Sequence, residues 1–256
     1  MEVHHHPQVE KKNIKEYLLE GLMIFLAVTL GFIAENIREH FVDKEKETQN
    51  IKSIFKSIAS DTVNLRSITS TNLLTLEHLD KLISFKDSNL NNNSTIIELY
   101  THIINGTFND VYFRSNDAAF QQLQSSGSLR LIHKEIVVDS LFQYQYKNSL
   151  FQRQEPDCYH FTKVVWDDIS RLVDLTFIRD TSKLKINFDV IAGTFNVPKG
   201  KEMLLSNDKK LLDKFFNDIS VLTLATDIYM GLLNRQLLYG RNLIAFLKKE
   251  YHLEND

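Results

Sequence analysis

The sequence predicts a mainly α protein, with an N-terminal transmembrane helix followed by an α-helical bundle domain that carries a small irregular or β insert. Three observations predict this fold class. One uncharged apolar run extends from Gly21 to Ala34. Apolar residues recur every three or four positions through most of the remaining chain, which is the helical period. Eight Gly and three Pro are few for 256 residues, and they favour long helices over tight turns.

The apolar run is the candidate membrane helix. A bilayer core of about 30 Å needs about 20 helical residues, and extending the run at both ends gives a span over residues 17–37, with Tyr17 as an interfacial anchor. A buried helix of a soluble domain would also fit the short run. A cleaved signal peptide is a further alternative, although Phe32 stands where the cleavage pattern needs a small side chain.

One face of the predicted span is built from small residues. Ala27, Gly31 and Ala34 follow one another at spacings of four and three residues. Small side chains let membrane helices approach closely, so this face predicts packing against a protein partner or a second copy of the chain. The alternative is that Gly and Ala are simply common in membrane helices.

Composition and charge indicate which partners and which orientation in the membrane the chain can have. The lipid bilayer is the first expected partner, and the net charge of −3 does not favour nucleic acid. Cys158 is the one cysteine, which excludes an internal disulfide. Basic residues lie on both sides of the span, so their distribution hardly determines the orientation of the helix. Long domains translocate largely regardless of charge, and a main domain outside the cytoplasm is therefore slightly favoured over a cytoplasmic one.

The chain divides into a polar tail over residues 1–16, the span over residues 17–37 and a helical domain over residues 38–256. No Pro or Gly interrupts the chain from Ala34 to Lys86. We therefore expect the membrane helix to continue into a stalk-like first helix of the domain.

Capping residues and a proline predict where the later helices begin and end. Ser94 or Thr95 is expected to cap the second helix, Pro156 to break or restart the chain between two further helices, and Asn207 or Asp208 to cap the last one. Residues 183–190 alternate polar and apolar side chains and predict a strand.

The segment around residues 112–132 predicts a structural corner. Asn116 or Asp117 caps a short helix, and Phe120 and Leu123 face inward. Gly127 allows a positive φ that turns the following residues back into the core. A ligand loop is the alternative, less favoured because nearly every position has a packing role.

The histidines of the tail are a candidate metal site. His4, His5 and His6 are adjacent imidazoles, and Glu2 and Glu10 could join them on a divalent metal. The alternative is a solvated tail, because neighbouring ligands on a flexible chain lack fixed geometry.

Other groups that could perform chemistry are sparse. Cys158 and His160 lie close together in sequence, with Glu155 and Asp157 beside them, and could supply a nucleophile or half a metal site. A small core residue is the favoured reading of such a lone cysteine. Carboxylates that could act as acids or bases are isolated (Glu98, Asp167 and Asp168), and no phosphate-cradling or metalloprotease motif occurs. The sequence predicts no catalytic residue and no cofactor.

Two stretches carry a resemblance. The first holds H-H-H-P (His4–Pro7) and an anchor that ends in A-E-N-I-R-E (Ala34–Glu39); it resembles a family of uncharacterised single-pass membrane proteins of Bacteroidota. The second, Y-F-R-S-N-D-A-A-F-Q-Q-L-Q-S-S-G-S-L-R-L-I (Tyr112–Ile132), resembles a segment of a domain-of-unknown-function family from that phylum. The resemblance implies a bacterial inner-membrane protein and transfers no activity.

The combined prediction is a membrane-anchored helical protein for interaction, scaffolding or sensing. One alternative is a small-molecule-sensing module that signals through the stalk helix. Another is a metal-handling membrane protein that uses His4–His6.

Overall fold

The computed structural model describes residues 13–90, 92–108, 111–176, 185–186, 191–192 and 204–253. Within these residues the chain forms five α-helices and two short strands, as the mainly α prediction requires. A short 3₁₀ turn, Ser128–Leu131, follows the third helix. The elements are α1 (Ile14–Ser84), α2 (Asn93–Thr107), α3 (Ala118–Ser125), α4 (Glu135–Leu172), β1 (Lys185–Ile186), β2 (Ile191–Ala192) and α5 (Lys209–Tyr251).

Helix α1 is unbroken from Ile14 to Ser84, which confirms the predicted continuation past the apolar run. The chain divides into two compact units, Met1–Asn50 and Ile51–Asp256. In the first unit, α1 contains a stretch long and apolar enough to cross a membrane by length and composition, and none of that stretch is buried. Ala27, Gly31 and Ala34 are all exposed, so the small-residue face is open along the described part of this unit.

The second unit is organised around the antiparallel pair α4 and α5. Lys134, just before α4, pairs with Glu250 at the end of α5. At the opposite ends of the two helices, Asp168 pairs with Lys214. Between these pairs the Tyr239 hydroxyl donates to the Ser140 carbonyl at 3.1 Å. The contacts follow one another in opposite chain directions, so the two helices run antiparallel over their full length.

Helix α1 completes the bundle by packing its apolar stripe from Ile51 onward against α4 and α5. Three buried clusters succeed one another along the bundle. The cluster at the C-terminal end of α1 includes Leu79, Leu82, Ile103, Ile169 and Phe215. The middle cluster includes Leu65, Phe113, Phe151, Tyr229 and Leu233. The third includes Ile51, Ile58, Leu123, Leu141 and Leu247. Because each helix presents one apolar face, the helical period in the sequence is enough to build this core.

Helix ends follow the sequence in some places and depart from it in others. Asp208 caps α5, and its carboxylate accepts from the backbone N–H of Lys210 at 2.7 Å. Asn92, not Ser94 or Thr95, caps α2, because its side chain accepts from the Ser94 N–H at 3.0 Å.

The predicted break at Pro156 is wrong, since α4 passes through this residue without ending. The buried face of α4 continues on both sides of Pro156, from Phe151 to Cys158 and Val165. Tertiary packing of that face outweighs the one helical hydrogen bond that the proline removes.

The predicted strand over residues 183–190 is only partly described. Lys185 and Ile186 form β1, which pairs antiparallel with β2. Residues 183–184 and 187–190 lie outside the described residues, so the length of the strand is not given by the structure.

The corner between α2 and α4 is partly as predicted. Gly127 has a φ of 68°, a left-handed conformation that glycine adopts without a steric penalty. Phe120 and Leu123 are buried. Asp117 occupies the N-cap position of α3 but its side chain makes no capping bond there; instead it accepts from the Ser115 hydroxyl at 2.7 Å. The side-chain cap expected from Asn116 or Asp117 is therefore absent.

Gly240 lies at a close approach of α5 to α1. A Cβ added at Gly240 would lie 2.9 Å from the Cγ2 methyl of Thr62 and 3.5 Å from the Tyr144 ring. The Thr62 methyl has little freedom to move, because its hydroxyl donates to the Ala59 carbonyl at 2.7 Å. The absence of a side chain at Gly240 therefore sets the spacing of the two helices.

We predict that Gly240→Ala lowers the free energy of unfolding by about 1–3 kcal/mol, because overpacking forces the helices apart. Chemical denaturation of the detergent-solubilised protein measures the change. Gly231→Ala is the matched control on the same helix: its added Cβ would meet only the Arg235 guanidinium, at an ordinary 3.5 Å.

Because alanine is the better helix former, Gly231→Ala should be neutral or stabilising by up to about 1 kcal/mol. Adding Thr62→Ser to Gly240→Ala removes the clashing methyl, keeps the hydroxyl and should restore most of the loss. Equal effects of the two alanine substitutions would contradict the close approach.

Candidate functional site

An open groove of about 620 Å³ lies in the helical domain between α4 and the segment that connects α2 to α3. Two other cavities in the described part of the domain measure only about 20 and 10 Å³. The groove is within the usual size of a small-molecule site. Its lining consists of Tyr112, Phe113, Arg114, Ser115, Asp117, Asn148, Phe151, Gln152, Glu155, Pro156 and Tyr159.

One wall of the groove is a single face of α4. Its residues recur every three or four positions from Asn148 to Tyr159, so they project from the same side of the helix over three turns. Pro156 has no N–H and therefore leaves the carbonyl of Gln152 without its usual helical donor. Since both residues line the groove, this wall offers a backbone acceptor as well as side chains.

The facing wall, residues 111–117, is held to the bundle by three hydrogen bonds. The Asn72 side chain of α1 donates to the Val111 carbonyl at 3.1 Å. The Phe113 N–H donates to the Tyr229 hydroxyl of α5 at 2.7 Å. The Asn116 N–H donates to the Asp61 carboxylate of α1 at 2.8 Å. These bonds fix a segment that has no regular secondary structure of its own.

Four aromatic rings pack together where that wall meets α4 and α5. The Tyr229 ring meets Tyr112 and Phe151 edge to face, with ring centroids 5.6 Å apart in both pairs. Phe113 meets Phe151 in the same way at 5.3 Å. Edge-to-face pairs of this kind add stability beyond the buried area alone, so these rings help to hold the wall in place.

An ion pair between Arg114 and Glu155 joins the two walls. The Arg114 side chain is 69% exposed and the Glu155 side chain only 13% exposed. The hydrogen bond to Glu155 raises the pKa of the Arg114 guanidinium, which stays charged in any case. Because the guanidinium has more donors than one carboxylate uses, it can also bind an acceptor group on a molecule in the groove.

A buried pair of amides lies at one end of the groove. The Gln236 side chain of α5 donates to the Asn148 side-chain oxygen at 2.6 Å and to the Tyr144 carbonyl at 3.3 Å. Asn148 is only 8% exposed, and its Nδ2 has no hydrogen-bond partner among the described residues. A buried donor without a partner is costly, and this nitrogen is covered by protein, so the amide pair belongs to the packing behind the groove.

Asp61 is a buried carboxyl behind the groove wall. It is 3% exposed and also accepts from the Tyr144 hydroxyl at 2.9 Å. Burial raises the pKa of the Asp61 carboxyl, and the hydrogen bonds from Asn116 and Tyr144 offset this only in part. Asp61 therefore ties the residue just before α3 to α1, whereas the first N–H groups of α3 receive no side-chain cap.

The groove combines aromatic surface, charged groups of both signs and amide groups. This composition suits recognition of a molecule that has an apolar body and at least one hydrogen-bond acceptor. The Ser115 hydroxyl donates to Asp117, and the described lining contains no histidine or cysteine to pair with it.

The structure separates the candidate nucleophile from its candidate base. Cys158 is buried, and its thiol donates to the Ala225 carbonyl at 3.6 Å. His160 is exposed and its ring packs edge-on against Phe161. Glu155 belongs to the groove, and Asp157 is exposed. The four residues therefore do not form one site.

The remaining residues that the sequence suggested for chemistry lie in different surroundings. Asp168 is fully buried, and both carboxylate oxygens accept from Lys214 at 2.8 Å, so it links α4 to α5. Glu98 lies on the exposed side of α2, near His102. His4, His5 and His6 lie outside the described residues. Among the residues that are described, no group of three or more His, Cys, Asp or Glu side chains could hold a metal ion.

Sequence reasoning missed Arg114, Asn148 and Gln152 as groove residues. For Asn148 and Gln152 the reason is the break expected at Pro156, which divided one helical face into two pieces. Arg114 lies in a segment without regular secondary structure, where no periodic pattern marks a face. With α4 continuous, Asn148, Phe151 and Tyr159 fall on one side at helical spacing, and this signal was present in the sequence.

We predict that Asp61→Asn changes how stability depends on pH. In the folded wild type the pKa of Asp61 lies above its ordinary value of 3.8. Between these two values the folded protein binds more protons than the unfolded chain, so the wild-type free energy of unfolding falls as pH rises through this window. Asparagine does not titrate and keeps an acceptor for the Asn116 N–H.

The stability of Asp61→Asn relative to wild type should therefore increase as pH rises across the same window. Urea unfolding at a series of pH values measures both proteins. Parallel profiles for the two proteins would contradict the raised pKa.

The chain was compared with known proteins at three levels. No protein-family model matches it. No curated protein and no solved structure matches it either.

Proposed function

We propose that the chain is a single-pass membrane protein whose helical domain acts by binding, as an interaction, scaffold or sensor protein of a bacterial inner membrane. The observation that carries the proposal is the combination, on one chain, of an uncovered apolar helix and a preformed groove. The first supports tethering and the second supports recognition.

The membrane anchor is supported by the exposure of the apolar stretch of α1. None of it is buried, although it is apolar enough to span a bilayer. A core helix of a soluble protein would be mostly covered by other elements. Exposed side chains such as Leu22, Phe25 and Phe32 are costly in water and favourable in lipid. The uncovered face of Ala27, Gly31 and Ala34 supports pairing with a protein partner or a second copy.

Binding in the groove is supported by its rigidity and by its mixed chemistry. Hydrogen bonds to Asp61, Asn72 and Tyr229 hold one wall before any ligand arrives. A preorganised site loses less entropy on binding than a mobile loop does. Arg114 provides donors, and Tyr112 and Tyr159 provide apolar surface.

Small-molecule sensing through α1 is a second candidate function. Asn72 and Asp61 both lie on α1, and both bind the wall over residues 111–117. A ligand that moved this wall would change the hydrogen bonds of α1 directly. Because α1 is a continuous helix, its N-terminal part shares the same backbone as these two residues.

We predict that the full-length protein stays in the membrane fraction after carbonate washing and needs detergent for release. Alkaline phosphatase fused to the C-terminus tests the orientation, and an active fusion is expected because we place the main domain outside the cytoplasm. A well-expressed but inactive fusion would reverse the orientation, whereas release without detergent would reject the anchor.

We predict that the photoreactive residue p-benzoylphenylalanine forms adducts when it replaces Tyr159 in the groove. Tyr146 is the matched control, since it lies on the same helix, outside the groove, and is 55% exposed against 51% for Tyr159. Irradiation of native membranes followed by immunoblotting should give at least several-fold more adduct at position 159.

The adduct should also depend on the groove itself. Arg114→Gln removes the exposed guanidinium and should reduce the adduct at position 159. Thermal unfolding of the same variant is measured alongside, because Glu155 is only 13% exposed and loses its cation. Equal labelling at positions 146 and 159, or labelling that is insensitive to Arg114→Gln, would reject the groove as the binding site.

A further inference from the structure

Two histidines face each other where α1 meets α2. The Nδ1 atoms of His78 and His102 are 2.8 Å apart, and the ring centroids are 5.0 Å apart. Both rings are partly buried, and Phe85 packs against the His102 ring with centroids 6.0 Å apart. The helices are close at this point, because a Cβ added at Gly106 would lie 3.4 Å from the His78 Cβ.

The distance shows the protonation state that this pair requires. At 2.8 Å one Nδ1 carries a proton and donates, and the other Nδ1 accepts through its lone pair. Burial lowers the pKa of both imidazoles. Lys81 also lowers the pKa of His102, whereas Glu77 acts in the opposite direction on His78, and Glu98 does so on His102. Neutral imidazole is also the form that binds metal ions.

The same two nitrogens are close to the arrangement needed for a shared metal ion. Two nitrogens that bind a tetrahedral zinc ion at about 2.0–2.1 Å lie about 3.3 Å from each other. Opening the His78–His102 pair by about 0.5 Å would therefore admit the ion between the two Nδ1 atoms.

Glu98 stands where a metal site needs a supporting carboxylate. Its Oε1 is 4.0 Å from the Nε2 of His102, on the side of the ring opposite His78. Histidines that bind metal through one nitrogen usually donate the other N–H to a carboxylate or carbonyl, which fixes the ring and its tautomer. One turn of α2 separates Glu98 from His102, so the helix itself places this partner.

We propose that His78 and His102 form a two-histidine site for a borderline divalent transition metal such as zinc, with Glu98 as a positioning residue and water completing the coordination. Binding moves the shared Nδ1 proton to the Nε2 of the same ring, so the pair releases no net proton. With two protein ligands the site is more open than a structural zinc site, which has four. The metal would clamp α1 to α2.

The test uses the full-length protein in detergent with His4, His5 and His6 replaced by alanine, because the tail could bind metal independently. Isothermal titration with zinc chloride should show one site per chain. Adding His78→Gln or His102→Gln should weaken binding at least tenfold, and Glu98→Gln should weaken it about tenfold. His160→Gln is the matched control, an exposed histidine on α4, and should leave binding unchanged.

A spectroscopic readout keeps the proposal testable if a histidine variant folds poorly. In the tail variant, ¹⁵N spectra of labelled histidine should show two rings changing together on zinc addition, with metal at Nδ1 and a proton at Nε2. Absence of zinc binding, binding that survives in the His78→Gln/His102→Gln double variant, or spectra in which no pair of rings shifts would each overturn the site. Unchanged affinity in Glu98→Gln would overturn the positioning role.

Discussion

Burial of one apolar face on each of α1, α4 and α5 is the interaction on which the helical domain depends. These three helices carry most of the buried residues in all three clusters, from Ile51 at one end to Phe215 at the other. The faces meet closely only because the side chains are shaped for it, as Gly240 opposite Thr62 illustrates. Most of the polar groups described above in this interior have partners, because an unpaired buried group offsets part of the gain from burial; the Nδ2 of Asn148 is an exception.

The groove is a consequence of the need to give buried polar groups hydrogen-bond partners. The segment over residues 111–117 crosses the bundle without a helix or strand to satisfy its backbone, so buried side chains of the long helices do so. Asp61, Asn72 and Tyr229 each bind one backbone group of the segment. Their positions leave the segment standing away from α4, with Arg114 and Glu155 bridging the space. A structural solution for the backbone thus produces a concave, chemically varied surface.

Much of this fold can be predicted from the sequence, because helical periodicity is a local property. The continuous α1 follows from the lack of Pro and Gly after Ala34, the cap of α5 from Asp208, and the turn at Gly127 from its freedom to adopt a positive φ. The continuation of α4 through Pro156 is not predictable locally, since the packing of both halves of the helix decides it.

The candidate site depends on distant pairs, and these cannot be seen along the chain. Asp61 and Asn116 are 55 positions apart, and Arg114 and Glu155 are 41 apart. His78 and His102 are 24 apart. Each pair is made of ordinary surface residue types, so neither partner signals the other in a single sequence. The tail histidines suggest a metal site because they are neighbours in the sequence. Proximity in the sequence does not predict which imidazole rings meet in the folded domain.

The two ion pairs at opposite ends of α4 and α5 fix the position of one helix along the other. Lys134 binds Glu250 at 2.7 Å at one end, and Lys214 binds Asp168 at 2.8 Å at the other. Sliding one helix along the other by a single turn, about 5.4 Å, would separate both pairs at once and leave the buried Asp168 carboxylate without its cation. Piston motion between these helices is therefore disfavoured, and rearrangement within the domain is left to the shorter elements that pack around them.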